Sequence, residues 1–225
     1  MIPKRIHYCW FGRAEKPKLA TKCIDSWKKY CPDYEIIEWN EDNFDINLNA
    51  YTKMCYEQKK YAFLSDYVRL LVVFKHGGIY FDTDVEVVKS FDDLLLHKAF
   101  FGFETTDFVN TGQGFGAESS DEIVEQLITK YDLVLDGLHG VIGCPVLNTK
   151  ALVEYGFTMD GVFQQKNDVV VLPKDYFNPF DDNTGVLKIT DNTYSIHWYG
   201  KSWMDRKVIF RNKVSRIVHR IFNKM

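Results

Sequence analysis

Two aspartates, Asp82 and Asp84, have the residue type and the spacing of a metal site. Side chains two residues apart lie on the same side of an extended chain, so both carboxylates are expected to reach one divalent cation. An isolated Asp-x-Asp is usually a solvated turn. Here the pair follows the apolar residues 79–81, and ligands of open α/β sheets bind beyond the carboxyl ends of the strands. The sequence therefore predicts a metal or ligand site at this point.

The segment before the aspartates predicts the helix and the strand that position them. Apolar residues recur at intervals of three and four, at positions 63, 67, 70, 71 and 74. Asp66 and Arg69 should lie together, off that apolar stripe. Gly77 and Gly78 can adopt the positive φ at which a helix ends, and residues 79–81 then predict a short buried strand.

Two further stretches carry candidate ligand-binding residues. The first forty residues predict a strand, a helix and a second strand, and Trp10 at the end of the first strand suits either stacking on a flat ligand ring or a place in the core. Residues 110–116 form a polar, glycine-rich loop that lets the backbone approach a ligand, or else a flexible turn. Asn110 and Gln113 are its candidate lining residues.

A late strand over residues 193–198 delivers His197, which is followed by Lys201, Ser202 and Trp203. A lone histidine is more often structural than a ligand. This one ends a strand just before a cation, a hydroxyl and an indole, which suits a metal-bound diphosphate. The imidazole nitrogen would bind the metal, and Lys201 and Ser202 would bind phosphate oxygens.

Composition limits the class of protein. The 225 residues are 46% hydrophobic and carry a formal net charge of -3, so one domain can bury a core and nothing favours nucleic-acid binding. The five cysteines are odd in number and lack a C-x-x-C pair, which argues against disulfides or a zinc site. The N-terminus lacks the apolar core of a signal peptide, and no stretch is apolar enough to span a bilayer. We therefore expect a cytoplasmic protein.

The C-terminal residues differ from the body of the chain. Residues 205–225 hold seven Lys or Arg against one Asp, and their apolar residues recur with a helical period. A basic amphipathic helix of this kind can lie at an anionic membrane surface, so we expect peripheral contact with the inner face of the plasma membrane. A helix docked on the protein's own surface is the alternative.

Three stretches together carry a family resemblance, namely residues 2–12, residues 65–84 and residues 197–203. They contain the sequences IPKRIHYCWFG, SDYVR followed by GGIYFDTD, and HWYGKSW. In these motifs the chain resembles the glycosyltransferases whose sugar-binding region contains the DXD motif, family 32. That family includes capsular-polysaccharide enzymes and yeast mannosyltransferases, and its fold resembles the catalytic domain of the clostridial glucosylating toxins.

The resemblance implies a single-domain α/β enzyme of the GT-A fold, with a doubly wound, mostly parallel sheet over residues 1–204. The implied reaction is retaining transfer of a hexose from a UDP-linked sugar to a glycan, in surface polysaccharide synthesis. Mn²⁺ or Mg²⁺ is the implied cofactor. A lipid-linked acceptor fits both the family and the basic C-terminal residues.

The resemblance also assigns donor-binding roles. Trp10 would stack on the base, and Asp66 and Arg69 would hold donor hydroxyls, with Ser65 and Tyr80 close by. Ser202 and Trp203 match a loop that closes over the β-phosphate.

The remaining assignments concern the metal and the leaving group. Asp82 would contact ribose, sugar or a metal-bound water, and Asp84 would bind the metal directly. The toxins carry Asn where this chain has His197, and a histidine as the third ligand resembles the glycogenin-like transferases instead. The metal and Lys201 would stabilise charge on the leaving oxygen. No carboxylate stands out as a covalent nucleophile, so front-face displacement is expected.

Two other classes of protein remain open on sequence grounds. A phosphotransferase or nuclease could use Asp82 and Asp84, although the acidic body of the chain argues against a nucleic-acid groove. A module that binds nucleotide sugars or glycans without turnover is the other.

Overall fold

The structure is a computed structural model that describes residues 1–200. Helices and strands are numbered in chain order. The helices are α1 (Lys18–Tyr30), α2 (Ala50–Glu57), α3 (Tyr61–His76), α4 (Glu122–Thr129) and α5 (Cys144–Tyr155). The strands are β1 (Arg5–Cys9), β2 (Glu35–Trp39), β3 (Gly78–Tyr80), β4 (Val85–Val87), β5 (Ala99–Gly102), β6 (Phe115–Ala117), β7 (Gln164–Lys166), β8 (Val169–Leu172), β9 (Phe180–Asp181), β10 (Val186–Leu187) and β11 (Ser195–His197).

Seven strands form the central sheet, in the order β2-β1-β3-β6-β5-β8-β7. Strands β2, β1, β3, β5 and β8 run in one direction, whereas β6 and β7 are antiparallel to their neighbours. The predicted mostly parallel α/β architecture is confirmed. A small antiparallel sheet of β4 and β11 places the end of β11 next to the segment that follows β3.

Apolar side chains pack on both faces of the central sheet. One core lies under α2, α3, α4 and α5, and the other lies under α1 and β4. Trp27 of α1 is fully buried in the second core, where its ring packs against Tyr8 and Phe81 and its Nε1 donates to Val85 O at 2.8 Å. Helices on both faces make the sheet doubly wound, as predicted.

The surroundings of α3 differ from the expected amphipathic pattern. The helix packs on β1, α2 and α4, so little of its surface faces solvent. Asp66 and Arg69 are therefore buried, with exposed fractions of 9% and 2%, while Phe63 and Phe74 are only partly buried. Asp66 and Arg69 lie together, as predicted, but they are buried as well, because a helix that is covered on several sides has no single apolar stripe.

The turn after α3 has the predicted glycine geometry. Gly77 and Gly78 adopt φ of +62° and +114°, and the N–H of Gly77 donates to Val73 O at 2.8 Å. A Cβ at Gly77 would lie 2.9 Å from the ring of Pro3, so the turn also needs a residue without a side chain.

The strand β6 was not expected, because residues 110–116 predicted a loop. Phe115–Ala117 instead forms a buried strand between β3 and β5. A Cβ at Gly116 would lie 2.5 Å from the Phe100 ring, so this glycine permits close packing. The loop proper ends at Gly114.

All five cysteines are free and buried. Within residues 1–200, we find no helix with the length and apolar character needed to cross a membrane. The predicted C-terminal helix over residues 205–225 lies outside the described residues.

Candidate active site

A cleft of about 700 Å³ opens where several strands end on the same side of the sheet. Its wall includes Trp10 and Phe11 after β1, Asp82 and Asp84 after β3, and His197 at the end of β11. The cleft therefore lies at the carboxyl ends of the parallel strands, where the position of the two aspartates predicted a ligand site.

A buried arginine links two of the predicted carboxylates. Arg69 Nη2 lies 2.8 Å from Asp66 Oδ1, one turn earlier on α3, and 2.9 Å from Asp82 Oδ1. The Tyr80 hydroxyl donates to the same Asp82 oxygen at 3.0 Å, and the guanidinium lies over the Tyr80 ring. The helix α3 and the end of β3 together fix the position of the Asp82 carboxylate.

The charges of this cluster are strongly coupled. Burial opposes the Arg69 charge, but the Asp82 and Asp66 carboxylates raise the pKa of Arg69 well above its usual range. Burial raises the pKa of Asp82 to about 6 against the opposing effect of Arg69, and the nearby charge of Asp84 adds to that rise. Arg69 therefore stays charged and neutralises only part of the carboxylate charge around it.

Asp84 and His197 form a second pair in the cleft. His197 Nε2 lies 3.5 Å from Asp84 Oδ1, and the N–H of Gly200 donates to Asp84 Oδ2 at 2.7 Å. Burial opposes the charge of both groups, but each raises the population of the other's ionised form: the pKa of His197 is raised by Asp84, and the pKa of Asp84 is lowered by His197. The backbone pairing of β4 with β11 brings these residues together.

The aspartates do not lie on an extended chain, so that part of the prediction was wrong. The strand β3 ends at Tyr80, and the N–H of Val85 donates to Asp82 O at 3.1 Å, which closes a tight turn. Asp82 consequently contacts Arg69 and Tyr80, whereas Asp84 contacts His197 and Gly200.

The cleft offers a partial ligand set for a divalent cation. Within residues 1–200, no group of three or more His, Cys, Asp or Glu side chains converges as a metal site. Asp84 and His197 do converge, and His197 Nδ1 is a buried atom without a partner in this part of the chain. Mg²⁺ and similar ions are often held by one or two carboxylates, with substrate phosphates and waters as the other ligands. The pair fits such an ion.

The other predicted donor-binding residues fall into two groups. Trp10, Ser65 and Asn110 line the cleft, and the Trp10 indole is oriented by donating from Nε1 to Ala14 O at 2.7 Å. Tyr80 and Gln113 are fully buried and do not line it. Tyr80 instead holds Asp82. Gln113 donates to Gly102 O behind the wall.

Three predicted donor-binding residues cannot be placed. Lys201, Ser202 and Trp203 lie outside the described residues.

Gly112 supports the floor of the cleft. Its carbonyl accepts from the N–H of Asp82 at 2.9 Å, and its own N–H donates to Asn110 Oδ1 at 2.7 Å. A Cβ there would overlap Asp82 Oδ2 and would lie 2.8 Å from Arg69 Nη1. The glycine-rich loop thus serves to let the backbone pass close under Asp82.

Several residues that line the cleft were missed from the sequence, among them Glu104, Cys144 and Tyr199. Glu104 stands two residues beyond the end of β5, the position that Asp82 holds relative to β3. That strand-end position was a usable signal. Tyr199 stands two residues beyond the end of β11, so the same signal applied to it. Cys144 had no such signal, because only the tertiary fold brings it to the cleft.

A comparison with protein-family models agrees with the motifs. Residues 17–101 match the family described as glycosyltransferase sugar-binding region containing DXD motif. The matched stretch includes Asp82 and Asp84. The resemblance predicted from the sequence is confirmed.

Two characterised relatives match part of the chain. Inositol phosphoceramide mannosyltransferase 3 of Schizosaccharomyces pombe is 33% identical in an alignment of 105 positions that covers 44% of this chain and 28% of the relative. Subversion of eukaryotic traffic protein A of Legionella pneumophila is 26% identical in an alignment of 129 positions that covers 45% of this chain and 20% of that protein. The chain therefore matches less than a third of the length of either relative.

Solved structures show the same fold. The PaToxG glycosyltransferase superposes with a TM-score of 0.56 at 20% identity, over 69% of each chain. A glycosyltransferase involved in the glycosylation of the major capsid of PBCV-1 superposes with a TM-score of 0.51 at 13% identity, over 96% of this chain and 100% of that one. The predicted GT-A glycosyltransferase fold is confirmed.

Proposed function

We propose that this protein transfers a hexose from a UDP-linked sugar to a glycan, with retention of configuration. The observation that carries the proposal is the Asp66–Arg69–Asp82 cluster beside the Asp84–His197 pair, in one cleft that Trp10 also lines. A sugar nucleotide presents an aromatic base, hydroxyl groups and a diphosphate. The cleft offers the Trp10 indole for the base and the carboxylates held by Arg69 for the hydroxyl groups. The Asp84–His197 pair is a candidate cation site for the diphosphate.

Each group has a role that its chemistry supports. Trp10 would stack on the base, and Asp66 and Asp82 would accept hydrogen bonds from hydroxyl groups while Arg69 holds them in place. Asp84 and His197 would hold a divalent cation, Mn²⁺ or Mg²⁺, which supplies electrostatic stabilisation to a departing diphosphate. Asp82 has one oxygen engaged by Arg69 and Tyr80, which leaves Oδ2 for a ligand or a water.

Retention would proceed by front-face displacement, in which the acceptor attacks from the side that the diphosphate leaves. In support, Asp66 and Asp82 are held by Arg69, and Asp84 is held by His197 and Gly200. Proton NMR of the product formed in the first minutes reports its anomeric configuration. An inverted product would refute the retaining mechanism.

The central experiment is hydrolysis of UDP-glucose, UDP-galactose and UDP-N-acetylglucosamine in the presence of Mn²⁺. Loss of an oxyanion-stabilising donor costs about 10²–10³ in rate, so Asp84→Asn should lower turnover by a factor of that order. Asp107→Asn is the matched control, because Asp107 is an exposed carboxylate in a loop next to the cleft. Undiminished turnover in Asp84→Asn would refute the metal role. Donor binding without release of UDP would instead indicate a module that binds but does not react.

A lipid-linked acceptor and a place at the inner face of the plasma membrane belong to the same proposal. The S. pombe relative is named for a ceramide acceptor, and residues 205–225 carry seven basic residues. We expect the full chain to float with liposomes that contain anionic lipid, and replacement of Arg211, Lys213 and Arg216 by Gln to weaken that binding. Unchanged flotation would count against membrane contact. A role in surface polysaccharide synthesis, such as capsule assembly, would then follow from the acceptor found.

A further inference from the structure

Glu104 is a further carboxylate in the cleft, and neither the motifs nor the family resemblance gives it a role. It follows the end of β5 by two residues and lines the cleft together with Asp82, Asp84 and Asn110. The residue is only partly buried. A ligand in the cleft can therefore reach it.

One oxygen of Glu104 is held by side chains from two other parts of the chain. Oε1 accepts hydrogen bonds from Asn110 Nδ2 and from the Tyr199 hydroxyl, both at 3.1 Å. The Tyr199 hydroxyl in turn accepts from Asn178 Nδ2 at 2.6 Å, and the same amide nitrogen donates to the backbone oxygen of Glu104 at 3.1 Å. These bonds fix the direction of the carboxylate.

The residues that hold Glu104 are in unfavourable local states. Tyr199 has φ of +50°, a conformation that residues other than glycine seldom adopt. Asn178 has no exposed surface, and its Oδ1 has no hydrogen-bond partner among residues 1–200. Such features persist where the surrounding structure imposes them, and they cluster at ligand sites. The hydrogen bonds from Asn110, Tyr199 and Asn178 therefore hold the Glu104 carboxylate in a fixed position.

Glu104 also differs from the other cleft carboxylates in its charge environment. Asp66 and Asp82 share Arg69, and Asp84 faces His197. In the part of the chain that the structure describes, Glu104 has no ion-pair partner, and its Oε2 accepts no hydrogen bond. A carboxylate without an ion-pair partner repels a diphosphate and forms strong hydrogen bonds with hydroxyl groups. Its chemistry therefore suits the sugar and not the phosphates.

We infer that Glu104 binds a hexose hydroxyl through Oε2, and that Asn110 and Tyr199 act as positioning residues for it. The inference rests on the proposed function, because it names a sugar contact of that same cleft. The hydroxyl belongs either to the donor hexose or to the acceptor sugar. Binding measurements with and without the sugar separate these two sources.

The test uses calorimetry on the full chain with Mn²⁺, comparing the wild type with Glu104→Gln and with Asp107→Asn. Each protein is titrated with UDP and with UDP-glucose, UDP-galactose and UDP-N-acetylglucosamine. Because hydrogen bonds to a charged group are about twice as strong as neutral ones, Glu104→Gln should lower the affinity for the UDP-hexose about tenfold if the hydroxyl belongs to the donor hexose. UDP affinity should not fall, because the substitution removes a charge that repels the diphosphate, and retained UDP binding also shows that the variant is folded. Asp107→Asn should match the wild type throughout.

A second arm assigns the source of the hydroxyl. p-Nitrophenyl hexosides are titrated into the UDP-loaded proteins, and weaker hexoside binding with unchanged UDP-hexose binding would assign Glu104 to the acceptor sugar. Unchanged binding of both sugars would overturn the inference, and so would an equal loss of affinity for UDP and UDP-hexose. The proposed function itself would be refuted if the wild type bound every UDP-hexose no more tightly than UDP and released no hexose from any of them.

The support role has its own readout. Tyr199→Phe removes one hydrogen bond to Glu104 and leaves the carboxylate in place. It should weaken UDP-hexose or hexoside binding less than Glu104→Gln does, and in the Glu104→Gln background it should have a much smaller effect. Full additivity of the two substitutions would show that Tyr199 does not act through Glu104.

Discussion

Gly112→Ala tests whether the exact placement of Asp82 matters for activity. The backbone of Gly112 lies outside the positive-φ region, so alanine is conformationally acceptable there. The new methyl group would nevertheless overlap Asp82 Oδ2 and press on Arg69 Nη1 at 2.8 Å, where ordinary contacts begin at 3.4 Å. The substitution therefore acts on the carboxylate position through packing alone.

The expected size of the effect follows from that overlap. To relieve it, the Asp82 carboxylate must move by about 1 Å, which stretches its 2.9 Å contact with Arg69. A displacement of this size at a reacting centre costs about 10²-fold in kcat/KM, or about 2.7 kcal/mol of barrier. Overpacking should also lower the free energy of unfolding by about 1–3 kcal/mol.

Gly143→Ala is the matched control, because the same change is made in the wall of the same cleft. Gly143 has φ of -65°, and a Cβ there would lie 3.8 Å from Pro145 Cδ, which is ordinary contact. Both variants are assayed for UDP-hexose hydrolysis and for thermal unfolding. A folded Gly112→Ala protein with activity within about threefold of the control would refute the reasoning about Asp82.

Three other predictions concern Arg69, His7 and Trp10. Replacing Arg69 with Met leaves Asp66 and Asp82 without their buried counter-charge, so urea titration should show a loss of about 3–5 kcal/mol of stability. Burial lowers the pKa of His7 to about 4, so this group binds more protons in the unfolded chain below about pH 6.5. Between pH 7.5 and pH 5 His7 should contribute a loss of about 2 kcal/mol of stability, measured as the difference between the wild type and His7→Gln. Trp10→Ala should weaken UDP binding about tenfold by calorimetry, and Trp10→Phe should weaken it less.

Each of these predictions has a result that would contradict it. Arg69→Met should regain stability when Asp66→Asn is added. Equal stability of the single variant and the double variant would show that charge is not the cause of the loss. His7 Nδ1 accepts from Trp39 Nε1 and its Nε2 donates to Gly77 O, so the native ring is neutral. His7→Gln should remove this contribution to the pH dependence, and a pH profile of stability identical to that of the wild type would exclude His7. Equal UDP affinity in Trp10→Ala would exclude base stacking.

Local sequence patterns were sufficient for the elements that present the site. The helix α3, its glycine terminus and the strand β3 follow from residue types within about twenty neighbouring positions, and each was found close to its predicted bounds. The alternation of strand and helix in the first forty residues likewise predicted the parallel sheet, because short connections of this kind allow few topologies. Strand β6 was not predicted, because a buried strand of three residues with a central glycine is too short to show the alternation of apolar and polar residues that indicates a strand.

What the sequence determined by itself was therefore the set of groups at the strand ends: the acids after β3, the indole after β1 and the imidazole of β11. The tertiary structure alone decided how those groups divide. It closed a turn between Asp82 and Asp84, buried Arg69 against the first and placed His197 against the second. It also brought Glu104 and Tyr199 into contact across almost a hundred positions. Contacts between residues so far apart depend on the packing of the sheet and its loops, which no local pattern encodes.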